Sequence, residues 1–182
     1  ILKNQAADFY FLQEVDIDAK RSFHINERAY YEKALDMSSI YACNFKCDFV
    51  PYPLPPIGKV EAGLVTMTDY QVESAKRIKL AESFSWPIKT CNLKRCMLET
   101  RIPIEGTDKE LVLINFHLEA YDSGEGKIIQ SRMLADKLQE EYKRLSSEAA
   151  KAFSEARDAD YRRYTEAAKN IQSEITLREK LI

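Results

Sequence analysis

The sequence predicts an α+β protein in which a strand-rich front part is followed by a long helical tail. All five glycines and all six prolines lie at or before Gly126. The front part carries short apolar and β-branched runs that are typical of strands. From Lys127 to Ile182 the chain has neither residue type, and alanine, glutamate, lysine, arginine and leucine dominate. This composition favours helix throughout the tail.

The front part contains five predicted strands and one predicted helix. The helix covers residues 26–37, with Asn26 as its N-cap. The proline-rich segment 50–63 predicts a loop, and GTDKE at 106–110 predicts a hairpin turn. The last apolar run has the continuous character of a strand covered on both faces. The predicted strands are residues 8–15, 41–50, 63–70, 89–104 and 110–118.

Small and apolar residues recur at helical spacing along the tail and form a narrow, alanine-rich stripe. Such a stripe suits a helical hairpin or a coiled-coil partner better than a deep core. A single straight helix of this length would reach roughly 80 Å at 1.5 Å per residue. We therefore expect part of the tail to turn back, self-associate or protrude. The stripe comprises Leu138, Tyr142, Leu145, Ala149, Ala152, Ala156 and Ala159, then Tyr164, Ala168, Ile171, Ile175 and Ile182.

Charge and hydropathy exclude several classes of protein. The formal net charge of -2 gives no global attraction to nucleic acid or anionic lipid, so any phosphate binding needs a local patch. No apolar run approaches the roughly 20 residues that cross a bilayer. The chain starts ILKNQAADF rather than with methionine, which is typical of an internal fragment. A cytoplasmic location is favoured.

The four cysteines have spacings looser than a C-x₂-C zinc motif. They are Cys43, Cys47, Cys91 and Cys96. Reduced, half-buried thiols are the ordinary interpretation of such a pattern, and a disulfide or a metal site are the alternatives. No function is assigned to them.

Two predicted strands end in polar residues that a buried strand does not need. Glu14 closes the apolar run ADFYFLQEVD at residues 7–16, and a charge there is costly without a partner. Asn115 and His117 share one face of the strand at 110–118. A carboxylate suits a hard divalent cation, and a histidine suits phosphoester chemistry. Each residue alone also fits a solvated, salt-bridged or packed side chain.

These two segments together resemble the endonuclease/exonuclease/phosphatase superfamily. ADFYFLQEVD resembles its LQEV strand, and ELVLINFHLEAY resembles its N-x-H-L strand. GKVEAGLVTMTDYQVESAKRIKL and SRMLADKL resemble the glycine-led strand between them and the helix that follows. The resemblance covers roughly residues 1–143 and implies a partial four-layer α/β/β/α sandwich, deoxyribonuclease-like, with residues 144–182 as a helical tail or hairpin.

The resemblance also implies roles for particular residues. Glu14 resembles the glutamate that ligates Mg²⁺ (or Mn²⁺), and His117 resembles the catalytic histidine that contacts the scissile phosphate. The expected substrate-binding residues are Arg21, His24, Arg95 and Asn115, of which Arg95 is the looser match. For Arg21 and His24, ordinary surface contacts of a loop are the alternative. The implied substrate is a phosphoester in nucleic acid, a phospholipid headgroup or an inositol phosphate.

The sequence departs from the superfamily pattern in its second half. It has no N-terminal asparagine strand, no G-D-F-N motif and no late aspartate–histidine pair, and Asp158 and Asp160 lie in helical context. We therefore expect a metal-dependent phosphoester hydrolase or an incomplete piece of one. The alternative is a catalytically defective interaction or scaffold module that associates through its C-terminal helices. The tail is expected to cover an apolar sheet face or to pair with another chain.

Overall fold

The structure, a computed structural model, describes residues 2, 5, 7–120, 123–154 and 158–180, without the side chains of residues 152, 153, 158 and 159. Two compact units divide the chain, Ile1–Asp122 and Ser123–Ile182. Within the described residues, the first unit holds two three-stranded antiparallel sheets. Its elements are β1 (Phe9–Asp16), α1 (Glu27–Leu35), β2 (Ser38–Val50), β3 (Gly58–Thr68), β4 (Ser74–Lys79), β5 (Cys96–Pro103) and β6 (Glu110–Phe116).

The two sheets pack face to face around the central strand β3. The first sheet has the order β1-β3-β2, and the second has the order β4-β5-β6. Leu64 on β3 packs between the sheets, against Cys96 and Leu98 on β5. Val65, the next residue, packs on the opposite face, toward a cluster that includes Tyr31 of α1. Because β3 is covered on both faces, the unit is an α/β/β sandwich, and the predicted α+β sandwich fold is confirmed.

Local signals at the ends of two elements are also confirmed. The helix α1 begins after Asn26, whose side chain accepts a hydrogen bond from the backbone N–H of Ala29 at 3.0 Å, as an N-cap does. The turn at 106–110 joins β5 to β6 in an antiparallel pair, and Gly106 supplies its positive φ of 73°.

Three strand predictions differ from the structure. The strand β3 begins at Gly58, within the predicted proline-rich loop, because the prolines end at residue 56. The strand β4 was not predicted, since its SAKRIK sequence is almost entirely exposed and lacks an apolar face. The predicted strand 89–104 instead opens with a 3₁₀ turn, Ile88–Cys91.

The strand covered on both faces is β3 and not the run at 110–118. β6 is an edge strand of the second sheet, and Leu111 on it is exposed. The expectation for β6 was wrong, since Asn115 is the one buried residue of this strand and its apolar residues are only partly covered.

The second unit is a helical hairpin of α2 (Glu125–Ser154) and α3 (Asp158–Glu179). Ala149 on α2 packs against Tyr164 on α3, and Ala168 and Ile175 are buried. The tail therefore turns back, as one of the predicted alternatives required. Of the stripe residues, the side chains of Ala152, Ala156, Ala159 and Ile182 lie outside the described set.

The helix α2 runs without interruption through residues 143 and 144. The domain boundary expected there stays a prediction. Among the helices that the structure describes, none combines the length and apolar character needed to span a membrane.

Candidate functional site

Glu14 occupies a β-bulge in β1. Gln13 and Glu14 together lie opposite the single residue Leu64 of β3, so one extra residue is inserted into β1. Glu14 has a φ of 56°, in the left-handed region that non-glycine residues seldom adopt. The flanking register pairs are Leu12 with Val65 and Val15 with Gly63.

The bulge decides which way the Glu14 carboxylate points. Tyr10, Leu12 and Val15 all pack in the cluster beneath α1. Strict alternation would have placed residue 14 in that cluster after residues 10 and 12. Because of the extra residue, Val15 takes that position and Glu14 is released from the apolar face. The strain at Glu14 is therefore coupled to a local change in side-chain direction, as is common at functional sites.

Gly63 allows the neighbouring strands to approach β3 at the level of the bulge. A Cβ atom at this position would lie 2.2 Å from the backbone oxygen of Ala42 and 2.5 Å from a ring carbon of Tyr41. The strand β2 also has an irregular register here, at Asn44. A side chain at Gly63 would therefore displace the backbone of β2, level with the bulge that carries Glu14.

Asn115 joins the two sheets next to this bulge. It is only 2% exposed, and its side-chain oxygen accepts a hydrogen bond from Gln13 Nε2 at 3.0 Å. Its amide nitrogen donates to the backbone oxygens of Leu12 at 3.2 Å and Val65 at 3.0 Å. Asn115 on β6 thus fixes the position of β1 and β3. Its amide is committed to the protein, which favours a positioning role over direct substrate binding.

His117 lies two residues further along the chain and meets Glu14 across the two sheets. Its Nδ1 atom is 3.6 Å from Glu14 Oε1, and the side chains are 30% and 40% exposed. Burial lowers the pKa of His117 below its usual 6.5, and the nearby Arg95 charge lowers it further. The carboxylates of Glu14 and Glu119 act in the opposite direction. The net result favours a neutral imidazole near pH 7, which both donates and accepts hydrogen bonds.

Arg95, just before β5, and Glu119, just after β6, form a buried ion pair. The two residues are 1% and 2% exposed, and their closest nitrogen and oxygen atoms are 3.5 Å apart. Among the described residues, none of the three guanidinium nitrogens of Arg95 has a hydrogen-bond partner. A buried guanidinium with unused donors is costly, and it attracts an anion.

No described hydrogen bond or ion pair joins Arg21 or His24 to Glu14 or His117, although Arg21 lies within electrostatic range of Glu14. The Arg21 guanidinium binds Asp16, with Nη2 and Oδ1 2.8 Å apart, and this pairing raises the pKa of Arg21. The Glu14 charge also contributes to that rise. The imidazole of His24 contacts the Asp18 carboxylate and is more than half exposed. A substrate-binding role for these two residues stays a prediction.

Gln13 and Glu119 contact residues of the candidate site and were not singled out by the sequence. For Glu119 a signal existed in the sequence, because residues 115, 117 and 119 are alternate polar positions after an apolar strand. For Gln13 there was none, since its contact with Asn115 depends on how the two sheets meet.

The donor set restricts which metal ion these residues could hold. No cluster of three or more histidine, cysteine, aspartate or glutamate side chains suitable for a metal occurs among the described residues. Glu14 offers one partly exposed carboxylate. A closed structural site is therefore not formed, but Mg²⁺ is often held by one or two carboxylates, several waters and substrate phosphate oxygens. Glu14 fits that open kind of site.

Comparison with known proteins agrees with this geometry at the level of the fold. The chain is similar to an endonuclease/exonuclease/phosphatase from Beutenbergia cavernae, with a TM-score of 0.58 and 21% sequence identity, over 74% of this chain and 36% of that chain. It also matches the human Nocturnin catalytic domain with bound sulfate, with a TM-score of 0.48 and 15% identity, over 73% and 45% of the respective chains. The sequence matches no protein-family model and no curated protein.

The chain thus has part of the endonuclease/exonuclease/phosphatase fold and spans about a third of the length of the Beutenbergia cavernae protein.

Proposed function

We propose that this chain carries one half of a metal-dependent phosphoester-hydrolysing site, at the end of the sandwich where Glu14 and His117 meet. The observation that carries the proposal is the 3.6 Å separation between Glu14 Oε1 and His117 Nδ1, on side chains from different sheets. A strained bulge directs the carboxylate toward the imidazole, which a purely structural ion pair between exposed groups does not require. The fold supports this assignment.

Each residue of the site has a definite task in the proposal. Glu14 would hold Mg²⁺ (or Mn²⁺), which neutralises phosphate charge and the leaving oxygen when bound. Because His117 Nδ1 has no hydrogen-bond partner, the single proton of the neutral imidazole would sit on Nε2 and be donated to a phosphate oxygen. The charge of Arg95, which is buried and paired with Glu119, favours the neutral form of His117, and a direct role of Arg95 in substrate binding stays a prediction. Asn115 keeps the two sheets in register so that Glu14 and His117 stay together.

The proposed site has no residue to which we assign the activation of water. By the resemblance, an aspartate and a second histidine from later motifs would orient the nucleophile and complement His117, and this sequence contains no such motifs. General-base assistance and charge stabilisation each supply large rate factors. We therefore expect the isolated chain to bind Mg²⁺ and phosphate but to hydrolyse phosphoesters at a very low rate or not at all.

Calorimetric titration with Mg²⁺ and inorganic phosphate tests this proposal. We expect phosphate binding that requires Mg²⁺ and that falls at least about 10-fold in Glu14→Gln, because one charge-assisted ligand is worth 1.4 kcal/mol or more. Glu105→Gln is the matched control, since Glu105 is an exposed carboxylate in the β5–β6 turn. Equal phosphate binding in wild type and Glu14→Gln would disprove the proposed site.

A hydrolysis assay with a generic phosphodiester separately tests whether the active site is incomplete. Mg²⁺-dependent hydrolysis by the wild-type chain that is abolished in Glu14→Ala would show a complete active site and overturn the expectation of inactivity. The class of phosphoester substrate stays open, since one fold hosts many specificities.

A second candidate function is an interaction module without catalysis. The observation that favours it is an open groove along the helical hairpin, whose lining includes Tyr142, Ala149, Tyr161 and Ala168. Small residues of this kind permit close approach of another helix. Sedimentation at increasing protein concentration tests it, because self-association through the groove would raise the sedimentation coefficient and would be lost in Tyr161→Glu, a change at an exposed groove residue.

A further inference from the structure

Three loops lie together at the end of the sandwich that carries Glu14 and His117. They are residues 17–25 after β1, 49–59 around the β2–β3 connection and 80–94 between β4 and β5, and we call them the loop rim. Described contacts join them to one another. Lys59 pairs with Asp18, and the Cys91 thiol lies 3.7 Å from the backbone oxygen of Phe49.

The loop rim exposes large apolar side chains to an unusual degree. Leu54 is 88% exposed, Phe23 86% and Trp86 75%. Nearly the whole of each side chain stands clear of the protein, in contrast to the scattered half-exposed residues of an ordinary surface. The remaining members are each more than half exposed: Phe49, Ile25, Ile88 and Tyr52.

The loops that carry these side chains are anchored to the sandwich. Ile57, Cys91 and Leu93 from the rim pack on a buried cluster that includes Ala19 and Phe45. Four prolines at positions 51, 53, 55 and 56 further restrict the backbone around Leu54. The exposed side chains are therefore held outward by an ordered base and do not belong to a fraying segment.

The loop rim is also basic, although the whole chain is acidic. Its three loops contain five Lys or Arg residues and two Asp or Glu residues, against a net charge of -2 for the full chain, and one of the five, Arg21, is paired with Asp16 just before the rim. The basic residues are Lys20, Arg21, Lys59, Lys89 and Lys94, and the acidic ones are Asp18 and Glu82. A local positive charge beside apolar tips is complementary to an anionic surface that has an apolar interior.

We propose that the loop rim docks on the surface of a bilayer that contains anionic lipids. Leu54, Phe23 and Trp86 insert at the boundary between headgroups and acyl chains, and the rim lysines contact lipid phosphates. Tryptophan and tyrosine are the side chains that favour this boundary, since one end is apolar and the other polar.

A lipid surface accounts for the rim better than a protein partner does. The apolar side chains project from three separate loops with lysines between them, and a fluid interface accepts such isolated projections without matching pockets. A protein partner would need a pocket for each projection. Docking does not depend on Glu14 or His117 and so stands apart from the proposed hydrolytic function, but it would bring that end of the sandwich to the membrane.

Trp86 gives a direct readout of docking because it is the only tryptophan in the chain. We expect its emission to shift to shorter wavelength, and the protein to sediment, with vesicles of phosphatidylcholine and phosphatidylglycerol in equal parts. Pure phosphatidylcholine vesicles should bind more weakly, and added salt should weaken binding to the mixed vesicles. No shift and no sedimentation with the mixed vesicles would overturn the proposal.

Variants separate docking from other causes of the same signal. In Phe23→Ser/Leu54→Ser we expect binding to mixed vesicles at least about 10-fold weaker, from the loss of two inserted apolar side chains. Leu177→Ser is the matched control, since Leu177 is a 54% exposed side chain on α3. Circular dichroism checks that both variants fold.

Two outcomes of the variant experiment would contradict the proposal. One is equal vesicle binding by wild type and Phe23→Ser/Leu54→Ser. The other is a wild-type dimer that the same substitutions dissociate, without any vesicle binding, which would make the loop rim an interface between copies of the chain. Glu14→Gln should bind vesicles like wild type, because Glu14 is not part of the loop rim. Loss of phosphate binding in this variant therefore bears on the proposed hydrolytic site, and loss of vesicle binding bears on docking.

Discussion

Replacing Asn115 by alanine should separate the two sheets at the candidate site. The Asn115 side chain makes three hydrogen bonds, to Gln13 Nε2 and to the backbone oxygens of Leu12 and Val65. Alanine removes all three bonds and leaves a small cavity between the sheets. The variant therefore tests whether this amide, rather than general apolar packing, fixes β6 against β1.

The expected loss of stability follows from those contacts. The Gln13 amide is exposed and can turn to water, so its bond counts for little. The bonds to Leu12 and Val65 contribute about 1 kcal/mol each, and the cavity adds about 1 kcal/mol. We expect the free energy of unfolding to fall by about 2 to 4 kcal/mol, a large part of the usual 5 to 15 kcal/mol.

Urea unfolding followed by circular dichroism measures this loss. Asn92→Ala is the matched control, since the Asn92 side chain makes only a local contact of 3.3 Å to the backbone of Leu93. We expect that control to lie within about 0.5 kcal/mol of wild type. An unfolding free energy of Asn115→Ala equally close to wild type would refute the reasoning.

Three further predictions concern the same end of the sandwich. Gly63→Ala should destabilise the protein by at least about 3 kcal/mol in urea unfolding, because the new Cβ would meet the Ala42 oxygen at 2.2 Å. Glu14→Gly should unfold at higher urea than Glu14→Ala, by about 1 kcal/mol, because only glycine adopts a φ of 56° without strain; equal stability would show that the bulge is relaxed. Burial and the Arg95 charge lower the pKa of His117 in the folded protein below the usual 6.5 of the unfolded chain. Neutral His117 therefore stabilises the folded state fully above pH 6.5, and this stabilisation is lost as the pH falls from 6.5 through the pKa of the folded protein. His117→Gln should remove that part of the pH dependence of the urea midpoint.

The sequence singled out two residues that the structure places side by side, but it did not show how they are arranged. Glu14 and His117 were found because short motifs placed a carboxylate and an imidazole at strand ends, and the structure brings the two together. The bulge that turns Glu14 outward was not predictable, because it depends on a register with β3, about fifty residues further along the chain. Asn115 was expected to bind substrate, but its tertiary contacts commit its amide to the two sheets.

The strands that the sequence misjudged share one physical cause. β4 is a nearly fully exposed edge strand, and its pairing with β5 supplies the order that its own side chains do not. β3 extends toward the prolines because β2 pairs with it as far as Gly58. Local pattern shows which residues prefer to be buried, but it does not show which strand becomes central.

The central claim is that Glu14 and His117, from different sheets, form one divalent-cation and phosphate site. Paramagnetic broadening by Mn²⁺ tests it most directly, since the chain has only two histidines and the ring signals of His117 are easily assigned. We predict that substoichiometric Mn²⁺ broadens the His117 ring signals in wild type, that excess Mg²⁺ restores them, and that Glu14→Gln prevents the broadening. Sharp His117 signals in wild type, or equal broadening in Glu14→Gln, would contradict the account.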